Sequence, residues 1–145
     1  MIGGIFTGMD VSGSALRAGR ARMNMHANNL ANAQTTHDAD GKANPYRRKR
    51  IFFQAGAPEL TGSPTLGVRV QKIEDDTTSD FLYKYEPDHP DAIKQGAMTG
   101  YVAYPNVQSE LEMVDMMMAA RAFQANLAAL DSVKQIMRGA LTIIA

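Results

Sequence analysis

Two short segments bring imidazole and carboxylate together: His37-Asp38-Ala39-Asp40 and Asp88-His89-Pro90-Asp91. Such side chains ligate zinc and other divalent metals, so metal-assisted chemistry is the first reading to weigh. Both segments are rich in turn formers, where Asp, Asn and His occur for backbone reasons, and neither sets two histidines at helical spacing. No metal and no cofactor is expected. Paired acids stand at Asp75-Asp76 and at Glu110, Glu112 and Asp115. They have the type that general acid–base work needs. Nothing around them signals the burial that would split their pKa values. Glu110 and Glu112 open a helical stretch, where acids complement the helix dipole, and are expected at the surface. The run Arg47-Arg48-Lys49-Arg50 can hold an anionic partner or simply lead, solvated, into a strand. Tyr46, Phe52 and Phe53 flank the run without interleaving it, as a single-stranded nucleic acid would require. There is no G-x-S-x-G, P-loop or dinucleotide glycine set. No catalytic residue and no small-molecule substrate is expected.

These residues are carried by a chain of 145, long enough for one domain with appended elements. Its composition is 45% apolar and 21% charged, with a formal net charge of zero, which argues against a dedicated nucleic-acid binder. The zero hides an asymmetry. Residues 1–50 hold eight Lys/Arg and three Asp, a net of +5; residues 51–145 hold seven Lys/Arg and twelve Asp/Glu, a net of −5. Such a front-to-back difference suits head-to-tail association. Cysteine is absent, which excludes disulfides, thiolate metal sites and Cys nucleophiles. No apolar run reaches the roughly 18 residues of a membrane span. Met1-Ile2-Gly3-Gly4-Ile5-Phe6 lacks the basic and apolar regions of a secretory signal.

The patterning reads helix, strand-rich middle, helix. Phe6 to about Ala33 has no Pro, and Met9, Leu16, Met23 and Leu30 recur every seven residues among small neighbours. That is the seam of a helix laid closely on another. Gly8, Gly13 and Gly19 each cost roughly 1 kcal/mol against Ala, so a partner must stabilise this helix. His26 is read as a packed or capped residue within it. The cluster Asn28 to Asn32 reads as its stop. Residues 34–46 form a polar loop with a turn at Asp40-Gly41. Strands are expected at Arg50–Gln54, Gly67–Ile73, Phe81–Tyr85 and Tyr101–Tyr104, separated by Gly- and Pro-rich turns. From Gln108 to Leu141 the helical pattern returns, with Met116, Phe123, Leu130 and Met137 every seven residues. At ~1.5 Å per residue the two helices would span about 40 and 50 Å, too long for both to hide in so small a domain.

The expected fold is therefore α+β. Two terminal helices, 1–34 and 108–145, pair as a coiled-coil-like assembly domain, and 35–107 forms a loop and antiparallel β-rich outer domain. Two arrangements satisfy the seams. The helices can pack between many copies, or close as a hairpin within one, as in a soluble adaptor or binding module. The run Met113, Met116, Met117, Met118 wraps well round the helix, and Met is common at partner surfaces, which favours packing between copies. Residues 1–33 also have the composition of a mitochondrial transit peptide, but that reading leaves the Asn-rich stop and the matching C-terminal seam unexplained.

One stretch discriminates further. Asn28, Asn29, Leu30 and Asn32, within Ala27–Thr35, resemble the N-terminal signature of the flagellar rod and hook family. Asn44-Pro45-Tyr46-Arg47-Arg48-Lys49-Arg50, Tyr85–Ala92, Gly100–Val107, Glu112–Met116 and Ala120–Asn126 resemble the short proximal-rod members of that family. Phe123 stands where Tyr is usual, and Ile93–Thr99 is longer than typical, so the course of that loop is left open. The resemblance implies a structural subunit of the proximal rod of the bacterial flagellar basal body, not an enzyme. It implies export through the flagellar type III apparatus without signal cleavage, and assembly into a periplasm-spanning drive shaft. The implied partners are other rod subunits, copies of the same chain, the membrane-ring and rod-base proteins, the surrounding ring proteins and the export apparatus. The terminal helices would form the inner tube round the export channel. Met9, Leu16, Met23 and Leu30 would pack against Met116, Phe123, Leu130 and Met137, within or between subunits. Arg47, Arg48, Lys49 and Arg50 would face acids on a neighbour.

Overall fold

The computed structural model describes the backbone of residues 2–62 and 66–144, and the side chains of residues 7–59, 61–62 and 66–142. The order of elements is α1 (Ile2–Ala31), β1 (Lys49–Ala55), α2 (Pro58–Thr61), β2 (Val68–Asp75), β3 (Leu82–Tyr85), β4 (Tyr101–Tyr104) and α3 (Ser109–Ile144). The fold is α+β, with long terminal helices and two small two-stranded sheets, β1-β2 and β3-β4. The expected helices and strands are all present. The four-residue α2, opened by Pro58 and closed by Gly62 with φ +64°, is additional. The turn read at Gly62-Ser63-Pro64 lies outside the described residues beyond Gly62, as does the side chain of Phe6.

α1 stops where its asparagines permit. Asn32 returns both its backbone N–H, at 3.1 Å, and its carboxamide, at 2.9 Å, to the carbonyl of Asn28. This takes up an acceptor that the helix end would otherwise orphan. The loop that follows turns at Gly41, φ +75°, with Asp38 accepting the N–H groups of Asp40 and Lys42 on its carboxylate.

Contacts divide the chain into two compact units. The first comprises Met1–Asn24, Ile51–Ile73 and Met116–Ala145; the second comprises Met25–Arg50 and Glu74–Asp115. Both draw on α1, α3 and the middle of the sequence, so they are not the boundaries at 34/35 and 107/108, which sort residues by expected assembly role.

In the first unit α1 meets α3 within the same chain. A Cβ built on Gly19 would lie 3.4 Å from Cδ2 of Phe123. Ala18 and Ala119 are buried here, and small side chains are what allow two helices so close an approach. Ser14, also buried, ties α1 to β2: its Oγ donates to the Val11 carbonyl at 2.7 Å and accepts the Val68 N–H at 3.1 Å. Gly67 is indispensable beside it. Its φ is +82°, and a Cβ there would stand 2.6 Å from Ser14 Oγ and 3.2 Å from Ala57 Cβ. Gly67→Ala is expected to lose about 2 kcal/mol through left-handed strain and overpacking, read as a lower urea midpoint at an unchanged slope.

In the second unit β3 and β4 pair antiparallel, with Leu82 opposite Tyr104 and Tyr85 opposite Tyr101. The Tyr85 and Tyr101 rings meet edge-on at 5.3 Å. The loop at 93–99 closes on itself: Ile93 N–H bonds the Tyr101 carbonyl, and Gly100 N–H bonds the Ile93 carbonyl, each at 2.9 Å. Gly100, with φ +84°, is pressed against the Tyr85 ring.

Candidate functional site

The second unit holds a buried polar network beside the buried apolar residues Met25, Val102, Pro105 and Val107. Asn29, 0% exposed near the end of α1, behaves as a strand partner for Lys49. Its Oδ1 accepts the Lys49 N–H at 2.8 Å, and its Nδ2 donates to the Lys49 carbonyl at 2.9 Å. The carboxamide thus stands in for a peptide group at the start of β1. Tyr46 donates its hydroxyl to the same Oδ1 at 2.9 Å. Burial, with Asp75 and Glu112 near by, pushes the Tyr46 phenol pKa up and keeps it a donor.

Glu112 sits at the centre, 1% exposed. Its Oε1 accepts from Arg48 Nε at 2.5 Å; its Oε2 lies 2.6 Å from His26 Nδ1 and 3.2 Å from Asn29 Nδ2. A nitrogen facing an ionised carboxylate must carry its proton, so His26 donates. Burial alone would raise the Glu112 pKa, but the hydrogen bonds from His26, Arg48 and Asn29 outweigh it and hold the carboxyl below its usual range. Glu112 was expected as a surface acid at a helix start. That expectation is corrected: α1 and the residues before β1 supply three donors that neutralise the carboxylate inside the fold. Asn29 and His26 lie three apart on one face of α1. That was the only local sign of the network.

The basic run is engaged within the unit. Arg47 stacks its guanidinium 4.2 Å from the Phe81 ring centroid and donates to the Asp76 carbonyl at 3.2 Å. Arg48 holds Glu112; Lys49 lies 3.3 Å from Asp75 and Arg50 3.7 Å from Asp76.

Asp91 gathers the two His-carboxylate segments. Thr36 Oγ1 donates to its Oδ2 at 2.7 Å, His37 Nδ1 is 3.3 Å away and His89 Nδ1 3.9 Å. Among the described residues no group of three or more His, Cys, Asp or Glu side chains is placed to hold a metal. The Thr36 hydrogen bond is the largest influence on Asp91; with the two histidines it outweighs burial, and the pKa falls below its usual range. Asp76 is buried, which raises its pKa, but Thr78, Ser79 and Arg50 together lower it further. Glu112, Asp76 and Asp91 thus all have folded pKa values below their unfolded ones. Each therefore stabilises the fold above the ordinary carboxylate range, and that stability is lost as pH falls through the folded values. Urea titrations are expected to show constant stability near neutrality and a progressive loss below about pH 4.

Seven of the eight seam residues fall in the first unit. Met9, Leu16, Met23, Met116, Phe123, Leu130 and Met137 lie in the first and Leu30 in the second, all half-buried. A different face of α3 is bare. Met118, Ala122, Ala125, Ala129, Ser132 and Ile136 follow steps of three and four, and every one is exposed, Met118 to 63% and Ile136 to 62%. The stripe runs about five turns without a charge. Met117 and Leu127, also exposed, stand on another side of the helix. Among the described residues no helix is long and apolar enough to cross a membrane.

Long terminal helices that flank a strand-rich middle in sequence, an exposed uncharged helical stripe and a polar network that braces the second unit fit a structural subunit of the flagellar axial type. Residues 9–36 match the family described as flagella basal body rod protein, and residues 98–143 match that described as flagellar basal body rod FlgEFG protein C-terminal. The chain is 40% identical to the flagellar basal-body rod protein FlgC of Borreliella burgdorferi, over 97% of this chain and 98% of the relative. It is 42% identical to FlgC of Escherichia coli O6:H1, over 92% and 93%, and 37% identical to FlgC of Bacillus subtilis, over 95% and 97%. The chain belongs to the FlgC family of flagellar basal-body rod proteins.

Proposed function

We propose that this chain is a non-catalytic building block of the proximal flagellar rod, polymerising with copies of itself and with other rod subunits into the shaft that transmits torque. The uncharged stripe of α3 carries this reading. A solvated helix face ordinarily takes charged residues, and about five turns without one suit a neighbouring helix better than water. Pairing of α1 with α3 inside one chain, at Gly19 and Phe123, turns the seam inward and leaves the stripe for the next subunit. Met9, Leu16, Met23 and Leu30, with Met116, Phe123, Leu130 and Met137, then stiffen the helical layer. The network of Asn29 and Glu112 fixes the strand-rich part to the helix ends.

In this reading 1–34 and 108–145 form the tube round the export channel and 35–107 its outer wall. The chain leaves the cytoplasm through the flagellar export apparatus with its N-terminal segment intact. It spans the periplasm, and rod-base and ring proteins contact it from below and around. Residues 47–50 brace this wall, and the exposed ends of Lys49 and Arg50 reach toward neighbouring acids.

Purified basal bodies analysed by mass spectrometry, beside electron microscopy of a strain lacking the chain, test the reading. The chain is expected in the particle, and its loss is expected to leave rings without a rod. Complete rods in the deletion strain would refute it.

A further inference from the structure

The outer edge of β3 is bare. In the β3-β4 pair, Glu86 donates its N–H to the Gly100 carbonyl at 2.9 Å, one step beyond the pairing of Tyr85 with Tyr101. Opposite residues in an antiparallel pair alternate between bonded and non-bonded, so that bond sets the phase. Leu82 and Lys84 turn their backbone groups to β4; Tyr83 and Tyr85 turn theirs outward. Nothing among the described residues bonds those outward groups. The far edge of β4 differs: the 93–99 loop lies along it, with the Ile93 N–H on the Tyr101 carbonyl at 2.9 Å. All four residues of β3 are exposed, Tyr85 to 64%. Edges left to water are ordinarily blunted by a charge, a proline or a bulge, yet both outward positions here are tyrosine. Lys84, the one charge on the strand, lays its Nζ 4.6 Å from the Tyr104 ring centroid on β4, and Lys94 belongs to the loop on the opposite edge.

We propose that this edge takes an added strand: an extended segment of a different protein, with alternating apolar side chains and a basic residue at each end. The main chain of such a segment pairs with the N–H and C=O groups of Tyr83 and Tyr85. Its apolar side chains lie beside the two rings, on the face where Tyr85 meets Tyr101. Charge chooses the ends. Asp80 and Asp88 bracket the strand, are exposed and form no ion pair among the described residues. The same acids argue against a second copy. In an antiparallel edge-to-edge pair that uses both tyrosines, Tyr83 faces Tyr85 and Asp80 faces Asp88, which sets like charges opposite each other at both ends. The proposal uses β3 and not the α3 stripe, and it does not rest on assembly of the chain.

A short fluorescent peptide of alternating valine and threonine, with lysine at both ends, tests this on the purified full-length chain. Its anisotropy is expected to rise saturably. Hydrogen exchange of the Tyr83 and Tyr85 N–H groups should slow by about tenfold at about 1 mM peptide, while the N–H groups already bonded within the sheet change little. The same peptide with glutamate ends should bind about fivefold more weakly, and one with every amide N-methylated should not bind. A variant carrying Asp80→Lys and Asp88→Lys should melt like the parent and reverse the preference between lysine and glutamate ends. Exchange at Tyr83 and Tyr85 unchanged by the peptide, equal binding of the N-methylated form, or no preference for lysine ends would overturn the proposal. Protection of the same two groups that rises with the concentration of the chain alone would also overturn it, since the edge would then belong to a second copy.

Discussion

Glu112→Ala is expected to destabilise the chain by about 3–4 kcal/mol, a large part of the stability of a small domain. The substitution removes the carboxylate that faces His26, Arg48 and Asn29. Arg48 keeps some access to solvent, with 30% of its side chain exposed, but His26 and Asn29 are buried and would lose a partner with no water to replace it. Asn29 also anchors Lys49, so its reorientation would free the start of β1. The expected readout is a fall in thermal midpoint, with loss of amide protection near residues 46–50. Glu112→Gln keeps the shape but can only accept on one atom and donate on the other, so it is expected to recover part of the loss. An alanine variant as stable as the parent would mean that the network does not hold the unit together.

The second large effect concerns assembly and leaves the fold alone. Ala125 and Ala129 are exposed in the middle of the uncharged stripe. Glu is a good helix former, and exposed substitutions of this kind cost within about 0.5 kcal/mol. The double variant Ala125→Glu, Ala129→Glu should therefore fold like the parent. In a junction between subunits the same two carboxylates would be stripped of water without a counter-ion. Complementation of a deletion strain is expected to give no swimming and no rods with this variant, against full recovery with Ala125→Ser, Ala129→Ser. Normal swimming by the glutamate variant would remove the stripe from the assembly surface.

The helices and strands were legible because their signals are local. Val68, Val70 and Ile73 alternate with polar residues, and the sevenfold recurrences of Met9 to Leu30 and Met116 to Met137 need only one helix each to be seen. α2 was not legible, since four residues bounded by Pro58 and Gly62 read equally well as a turn. The network was hidden for a different reason. Glu112 lies 83 residues from Asn29 and 64 from Arg48, and an acid in the first turns of a helix already has an adequate local explanation. For the same reason Arg47–Arg50 read as a surface patch: a run of four charges shows its sign but not Phe81, Asp75 and Asp76 folded against it. The open stripe was half legible. The methionines round α3 could be counted in the sequence, but which face α1 leaves uncovered depends on the approach at Gly19 and Phe123.

The most direct measurement uses the absence of cysteine from the chain. Ala125→Cys places a single thiol in the stripe, and a maleimide reagent reports its access to water. The thiol should label fully in the purified subunit and be protected in isolated basal bodies, while a control at exposed Asp131→Cys, on the charged face of α3, stays reactive in the free subunit. Equal labelling of position 125 in subunit and basal body would contradict assembly of the rod through this face.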